Sequence, residues 1–365
     1  MLIGIDASRA LRPIKTGTEW YSIEIIRHLV KLDQKNNYIL YSNKPPEAPL
    51  LDLPNNVSWR VMPFTKGWTL VRLSWEMLTK SPDILFIPAH TLPLFTPKKS
   101  VVMVHDLGFI HNPKLYPARQ KIYHKFVINY VKNHATHIIT PTKFTKQDLI
   151  QTFNIPSTKI TPIWHGYDKN LYRPRPNTGH ASAQYSPYIF YIGRLETKKN
   201  IVNLIKAFIL FRAQNPTQTT KLVLAGKPSH GYDKIKEEIK TAGSLQQDII
   251  ELGYLSEDQV PIYMSNAELF AFPTSFEGFG MPIIQAMACG CPVLASNNTC
   301  IPEITGNAAI LINPDNPQGI ADGMTEILTE KKTQNDLIEK GLKQAEKFSW
   351  ENSAQKTLEV IEKTI

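Results

Sequence analysis

Three cysteines in 365 residues, Cys289, Cys291 and Cys300, supply no disulfide framework and no paired metal-ligand spacing. That scarcity favours a reducing cytoplasm. No apolar run approaches the roughly 18 residues of a membrane span. The opening "MLIGIDASRA" lacks the charged start and long apolar stretch of a signal peptide, so it reads as a buried first strand. Low-complexity tracts and sequence repeats are also missing, and the 27 prolines scatter to element boundaries instead of marking a disordered tail. A dinucleotide fingerprint is excluded. Gly278-x-Gly280 is followed by Ile283 where a third glycine or alanine is required, and no acid stands near Asn298 to hold a ribose. The Cys289-Gly290-Cys291 pair falls between a helix and the buried run "PVLAS", which indicates small-residue packing over redox chemistry.

What is present is an alternation of short β-rich apolar runs with longer helical patterns, the signature of parallel α/β architecture. The strand candidates in the first half are "LIGID", "YILYSN", "VSWRVMP", "DILFIPA", "SVVMVHD", "HIITPT" and "ITPIWHG". Those in the second half are "YIFYIGRL", "KLVLAGK", "IIELGYL", "ELFAFPTS", "PVLAS" and "AAILINP". Between the first two runs, residues 18–32 place Tyr21, Ile25, Leu29 and Leu32 on one helical face. The Pro-, Gly-, Ser- and Asn-rich segment 168–187 reads as a linker. The expected division is residues 1–172 and 185–348, with the helix 349–365, capped by Ser349, packing back on the first domain. Two such α/β domains facing each other would make a cleft at the C-terminal ends of their strands.

Two loops carry candidate chemistry. In "ELFAFPTSFEGFGMPIIQAMA" a strand leads through Gly278 and Gly280 into a helix with Pro282 in its first turn. Free N–H groups there favour phosphate or polar oxygen. Glu277 would repel a phosphate touching it, so it is expected to face neutral hydroxyls, with Gln285 one turn on to suit a diol. By spacing alone, an ordinary strand-to-helix turn with a capping acid fits equally. In "YIFYIGRLETKKNIVNLIKAF" the cations Arg194 and Lys199 straddle another strand–helix turn. They fit either a diphosphate clamp or a solvated basic turn.

Taken together these motifs resemble the family 4 glycosyltransferases, group 1 mannosyl- and rhamnosyltransferase-like enzymes, over nearly the full length. The resemblance implies the GT-B fold, two Rossmann-like domains across a cleft, and transfer of a hexose from a nucleotide-diphosphate sugar with retention. It assigns Gly193, Arg194, Leu195 and Lys199 to the family's diphosphate-holding element. It assigns Glu277 to donor-sugar hydroxyls, and the backbone of Phe279, Gly280 and Met281 to sugar or phosphate. The family's second glutamate is replaced by Gln285, which keeps the hydrogen-bonding shape and loses the charge. "TGTEWY" resembles the glycine loop after the first strand, which puts Gly17 near the diphosphate or acceptor. "VHDLGFIHNP" resembles the His-Asp segment, which puts His105 beside the donor sugar, although a His satisfied at a strand end also fits. The catalytic set implied is therefore His105, Arg194, Lys199 and Glu277. Gly253 and Tyr254 are expected near the base. With no acidic D-x-D pair, no metal and no cofactor besides the GDP- or UDP-type donor is expected.

Charge is unevenly distributed: residues 1–180 carry 24 Lys/Arg against 11 Asp/Glu, and residues 181–365 carry 17 against 21. The basic half is expected to meet something anionic. Residues 114–134 interleave Lys114, Arg119, Lys121, Lys125 and Lys132 with Tyr116, Tyr123, Phe126 and Tyr130. They could form a core-facing helix with a solvated basic face. They could also lie on anionic lipid that carries a lipid-linked acceptor, placing the protein peripherally on the inner face of the cell membrane. No nucleic-acid motif accompanies the basic half. A non-catalytic sugar-nucleotide-binding subunit and a sugar-nucleotide epimerase on the same fold stay open beside the transferase acting on a glycan or lipid-linked acceptor.

Overall fold

Every strand candidate forms, and the strands assemble into two wholly parallel sheets. The first sheet contains β1 (Leu2–Asp6), β2 (Asn37–Ser42), β3 (Val57–Val61), β4 (Ile84–Ile87), β5 (Ser100–Met103), β6 (His137–Thr140) and β7 (Ile160–Pro162). The second contains β8 (Tyr188–Ile192), β9 (Lys221–Ala225), β10 (Ile249–Gly253), β11 (Leu269–Phe272), β12 (Val293–Ser296) and β13 (Ile310–Ile312). The computed structural model describes residues 1–12, 15–48, 50–175 and 181–365. Near-continuous Val, Ile, Leu and Phe in these strands is what a sheet covered on both faces requires. Phe86, Phe190, Phe270 and Phe272 are accordingly sealed from solvent.

Strand order fixes where ligands can enter. The first sheet runs β3-β2-β1-β4-β5-β6-β7 and the second β10-β9-β8-β11-β12-β13. Each order therefore reverses once, between β1 and β4 and between β8 and β11. At such a reversal the loops leaving adjacent strands diverge to opposite faces and open a crevice beyond the strand ends.

The chain divides into two compact units. Met1–Gly166 with Ser349–Ile365 form one, and Tyr167–Phe348 the other. In the first unit the C-terminal helix Trp350–Thr364 packs against the helix Gly17–Leu32, and the Trp350 and Tyr21 ring centroids are 5.9 Å apart. Ser349 caps that last helix by accepting from the Asn352 N–H at 3.0 Å. In the Gly17–Leu32 helix Tyr21, Ile25 and Leu29 are buried as the spacing requires, but Leu32 is exposed. It is the last helical residue, where the chain turns off at Asp33. The linker segment 168–187 lies partly outside the described residues. Its first part is not loose, because Tyr172 is buried.

Candidate functional site

The second unit's crevice is built from the loops that follow β8, β9 and β11. After β8, Gly193 N–H donates to the Ala225 carbonyl and Leu195 N–H to the Lys227 carbonyl, each at 3.0 Å. Thr197 N–H reaches the His230 carbonyl at 3.0 Å. The loop after β8 is thereby zipped along the loop after β9. On its other side, Ser275 N–H donates to the Lys198 carbonyl at 3.1 Å, and the Thr274 hydroxyl adds a second bond at 3.2 Å. Few backbone groups are left to bend, so the side chains projecting from this loop are held in place.

Arg194 and Lys199 leave that loop in different ways. Lys199 bonds Glu277 Oε1 across the crevice, and the two side chains are only 15% and 14% exposed. Glu277, expected to face neutral hydroxyls, here has the Lys199 ammonium against its carboxylate. Its loop follows β11, beside β8, so the opposite charges meet directly at the reversal point. Thr274 Oγ1 stands 3.5 Å from the same carboxylate oxygen. The Cys300 thiol donates to the Glu277 backbone carbonyl at 3.3 Å. Arg194 is 60% exposed and stands 3.4 Å from Glu196. Glu196 is itself buried and accepts from the Ser229 hydroxyl at 3.3 Å. Each cation thus has its own carboxylate, and the structure does not bring both to one partner.

The helix Met281–Ala288 begins at Gly280, whose backbone is left-handed with φ of 87°. Phe279 is buried, and Gln285 lies one turn in, half-buried. The Gln285 amide makes no hydrogen bond among the described residues, so both its donor and its acceptor capacity remain. At the outer end of the same edge, Gly253 accepts from the Gly226 N–H at 2.6 Å. Tyr254 beyond it is exposed, with Lys227 Nζ 4.8 Å from its ring centre. A flat aromatic face next to a cation is a surface on which a base can stack.

His105 lies in the first unit, after β5. Its Nε2 donates to the Pro88 carbonyl at 3.0 Å, which leaves Nδ1 as the acceptor. Burial holds the imidazole below its ordinary range, against the pull of that carbonyl and of Asp106. Neighbouring His90 is driven down to about 3, first by burial and then by His105. Both rings are therefore neutral at physiological pH. Gly17 opens the Gly17–Leu32 helix at the surface, and a Cβ there would meet nothing within 4 Å. Neither local backbone nor packing demands glycine at that place.

Other features were not singled out in the sequence. A cavity of about 370 Å³ lies at the β1/β4 reversal, with Asp6, Arg9, Arg12 and Lys44 in its wall. The only signal for it was an acid closing the first strand in "LIGID". All three cysteines are buried, and burial pushes the Cys289 thiol up to about 12, which fits packing. Among the described residues no group of three or more His, Cys, Asp or Glu is placed to hold a metal ion.

Comparison with known proteins agrees with this geometry. Residues 15–171 match Glycosyltransferase Family 4 and residues 178–344 match Glycosyl transferases group 1. The O-antigen chain mannosyltransferase B of Escherichia coli is 26% identical over 96% of this chain and 97% of its own length. The serotype-specific mannosyltransferase WbdA of the same species is 28% identical over 73% of this chain, which spans about a third (33%) of that protein. Among solved structures, a sucrose-phosphate synthase from Thermosynechococcus elongatus superposes with a TM-score of 0.78 at 16% identity, covering 99% of this chain and 98% of that one. Anabaena HepE in complex with UDP and glucose gives 0.74 at 18%, covering 99% of each chain. These likenesses carry the GT-B fold. With one family matching each half and nearly the whole length aligned to a mannosyltransferase, the chain belongs to the family 4, group 1 glycosyltransferases.

Proposed function

We propose that the chain transfers a hexose from a nucleotide-diphosphate sugar to a growing surface glycan, with retention and without a metal. The observation that carries this is the pairing of Lys199 with Glu277 at the β8/β11 reversal. A cation suited to a diphosphate oxygen and a carboxylate suited to sugar hydroxyls there occupy one point. The names of the O-antigen mannosyltransferases among the relatives favour mannose and a polysaccharide product.

In this reading the incoming diphosphate draws on Lys199 and Arg194, and Glu277 accepts hydrogen bonds from the sugar. The leaving diphosphate gains charge as the glycosidic bond breaks, and the two cations stabilise it where it forms. A glycosyl–enzyme route needs a nucleophilic carboxylate opposite an acid, about 5 Å apart. The carboxylates nearest this loop, Glu196 and Glu277, are each held by a cation. Attack by the acceptor hydroxyl on the face the diphosphate leaves is therefore the proposed course, with the protein supplying position. Gly253 and Tyr254 would meet the base. His105, neutral and fixed through Nε2, would offer Nδ1 to a sugar hydroxyl.

The test is release of nucleoside diphosphate from GDP-mannose and from UDP-glucose, with and without an acceptor glycan. Acceptor-dependent release supports transfer. Donor binding with no turnover would favour a binding subunit, and product without acceptor an epimerase. Gln285→Glu should restore the charge facing a diol and tighten donor binding by about fivefold, read by calorimetry.

A cytoplasmic, peripheral membrane location is proposed with this function. No described helix is long and apolar enough to cross a membrane. The expected basic helix starts at Ala118, after a break at Pro117. It buries only Val127, Ile128 and Val131, leaving Ile122 71% and Phe126 50% exposed beside its lysines. Flotation with vesicles containing anionic lipid, absent with neutral lipid, is the expected outcome.

A further inference from the structure

The loop after β8 carries a buried acid, Glu196, to which the transfer reading gives no part. Beyond Ile192 the chain runs on beside the loop after β9, and Leu195 pairs in parallel with Pro228. Leu195 N–H donates to the Lys227 carbonyl, and the Leu195 carbonyl accepts from the Ser229 N–H, each at 3.0 Å. Successive side chains of such a strand-like segment point to opposite sides. Leu195 turns inward and is sealed from solvent, so Arg194 and Glu196 project together on the other side.

Glu196 has an extended backbone, and its carbonyl accepts from the Lys199 N–H at 3.0 Å. Its carboxylate is divided between two partners. Oε2 accepts from the Ser229 hydroxyl at 3.3 Å, and Oε1 stands 3.4 Å from Arg194 Nη2. The backbone of Arg194 is held from beneath, where the Tyr191 hydroxyl donates to its carbonyl at 3.3 Å. That leaves the long Arg194 side chain to be placed, and its guanidinium meets Glu196.

Stability does not account for this pair. A carboxylate only 10% exposed has given up most of its hydration, and a partner 60% exposed returns little, because water screens the attraction. Orientation does account for it. A solvated arginine samples many rotamers, and anchoring one nitrogen on a fixed acid narrows them and aims the other donors.

We propose that Glu196 is a positioning residue of the transfer: seated on the Ser229 hydroxyl, it holds the Arg194 guanidinium where the leaving diphosphate gathers charge. This rests on the transferase reading and adds to it an acid that touches neither sugar nor phosphate.

The test follows nucleoside diphosphate release by the full-length protein from GDP-mannose and from UDP-glucose, with and without mannobiose as acceptor. Glu196→Gln keeps the length of the side chain and its bond from Ser229 but gives up the charge that holds Arg194. It should lower kcat by about tenfold while the donor KM moves less than about threefold and melting stays nearly unchanged. In an Arg194→Ala background the same change should alter kcat by less than about twofold, because its partner is already gone. Ser229→Ala, which frees the acid to shift, should lower kcat by about threefold and likewise have no further effect without Arg194. Normal kcat in Glu196→Gln would overturn the proposal, as would an undiminished fall in the Arg194→Ala background or a fall matched by lost melting temperature. Release that ignores mannobiose would count against the transferase reading alone, since departure of the diphosphate still reports on Arg194. No release from wild type with either donor would overturn both.

Discussion

Lys199→Met should reduce transfer by roughly a hundredfold, because in the proposed mechanism it removes a charge that stabilises the leaving diphosphate. It should also destabilise the fold by about 2–4 kcal/mol. Both partners of the ion pair are largely buried, and removal of the cation leaves Glu277 uncompensated, the costly case for buried pairs. The double variant Lys199→Met/Glu277→Leu should recover much of that stability and none of the activity, because two apolar side chains can replace a buried pair. Urea denaturation and initial rates on the three proteins separate the two effects. Arg194→Ala provides the contrast. Its side chain is mostly solvated and its contact with Glu196 is long, so melting should shift little while transfer falls at least about tenfold. Near-normal turnover in both single variants would end the assignment of either cation to the diphosphate.

Gly226→Ala is expected to be the most damaging single methyl near the site. An added Cβ would stand 1.7 Å from the Gly193 carbonyl oxygen, in a backbone with φ of 144°. Gly193 precedes Arg194, and Gly226 N–H is committed to Gly253. To relieve the clash the loop after β8 must lift away from the loop after β9, carrying Arg194 with it. A cost above about 3 kcal/mol follows from strain and overlap together, or roughly 10 °C in the melting temperature of a domain this size. Nucleotide-induced stabilisation should be lost as well. Gly17→Ala is the control, since its methyl meets open space at a helix start and should leave melting nearly unchanged. A fall in transfer by that variant would then report crowding of a ligand, not of the protein.

The strands were legible because a doubly covered sheet needs unbroken apolar runs, and each run became a strand. The runs overshoot at their C-terminal ends, and the overshoot is informative. "YIFYIGRL" stops being strand after Ile192 and "ELFAFPTS" after Phe272, yet Leu195 and Phe276 beyond them are still buried. Apolar residues there pin the loops that carry Arg194, Lys199 and Glu277. The Lys199–Glu277 contact was not legible. It joins residues 78 positions apart, and it exists because β8 and β11 are neighbours, a fact of strand order that no local spacing encodes. The cavity beside Asp6 was hidden for the same reason, since its walls come from three strand ends brought together by the β2-β1-β4 arrangement. The 118–134 helix was ambiguous from its interleaved pattern. Which aromatic faces inward depends on what the rest of the unit presents to it: Tyr130 packs on the core and Phe126 does not.

The return of Ser349–Ile365 to the first unit has a consequence for biosynthesis. Residues 167–348 form an unbroken stretch, so that lobe takes no residue from beyond it. The lobe translated first must wait for the tail, because Trp350, Ala354 and Ile361 supply part of its interior. A premature stop after residue 348 would therefore cripple the amino-terminal lobe while leaving every residue of the other in place.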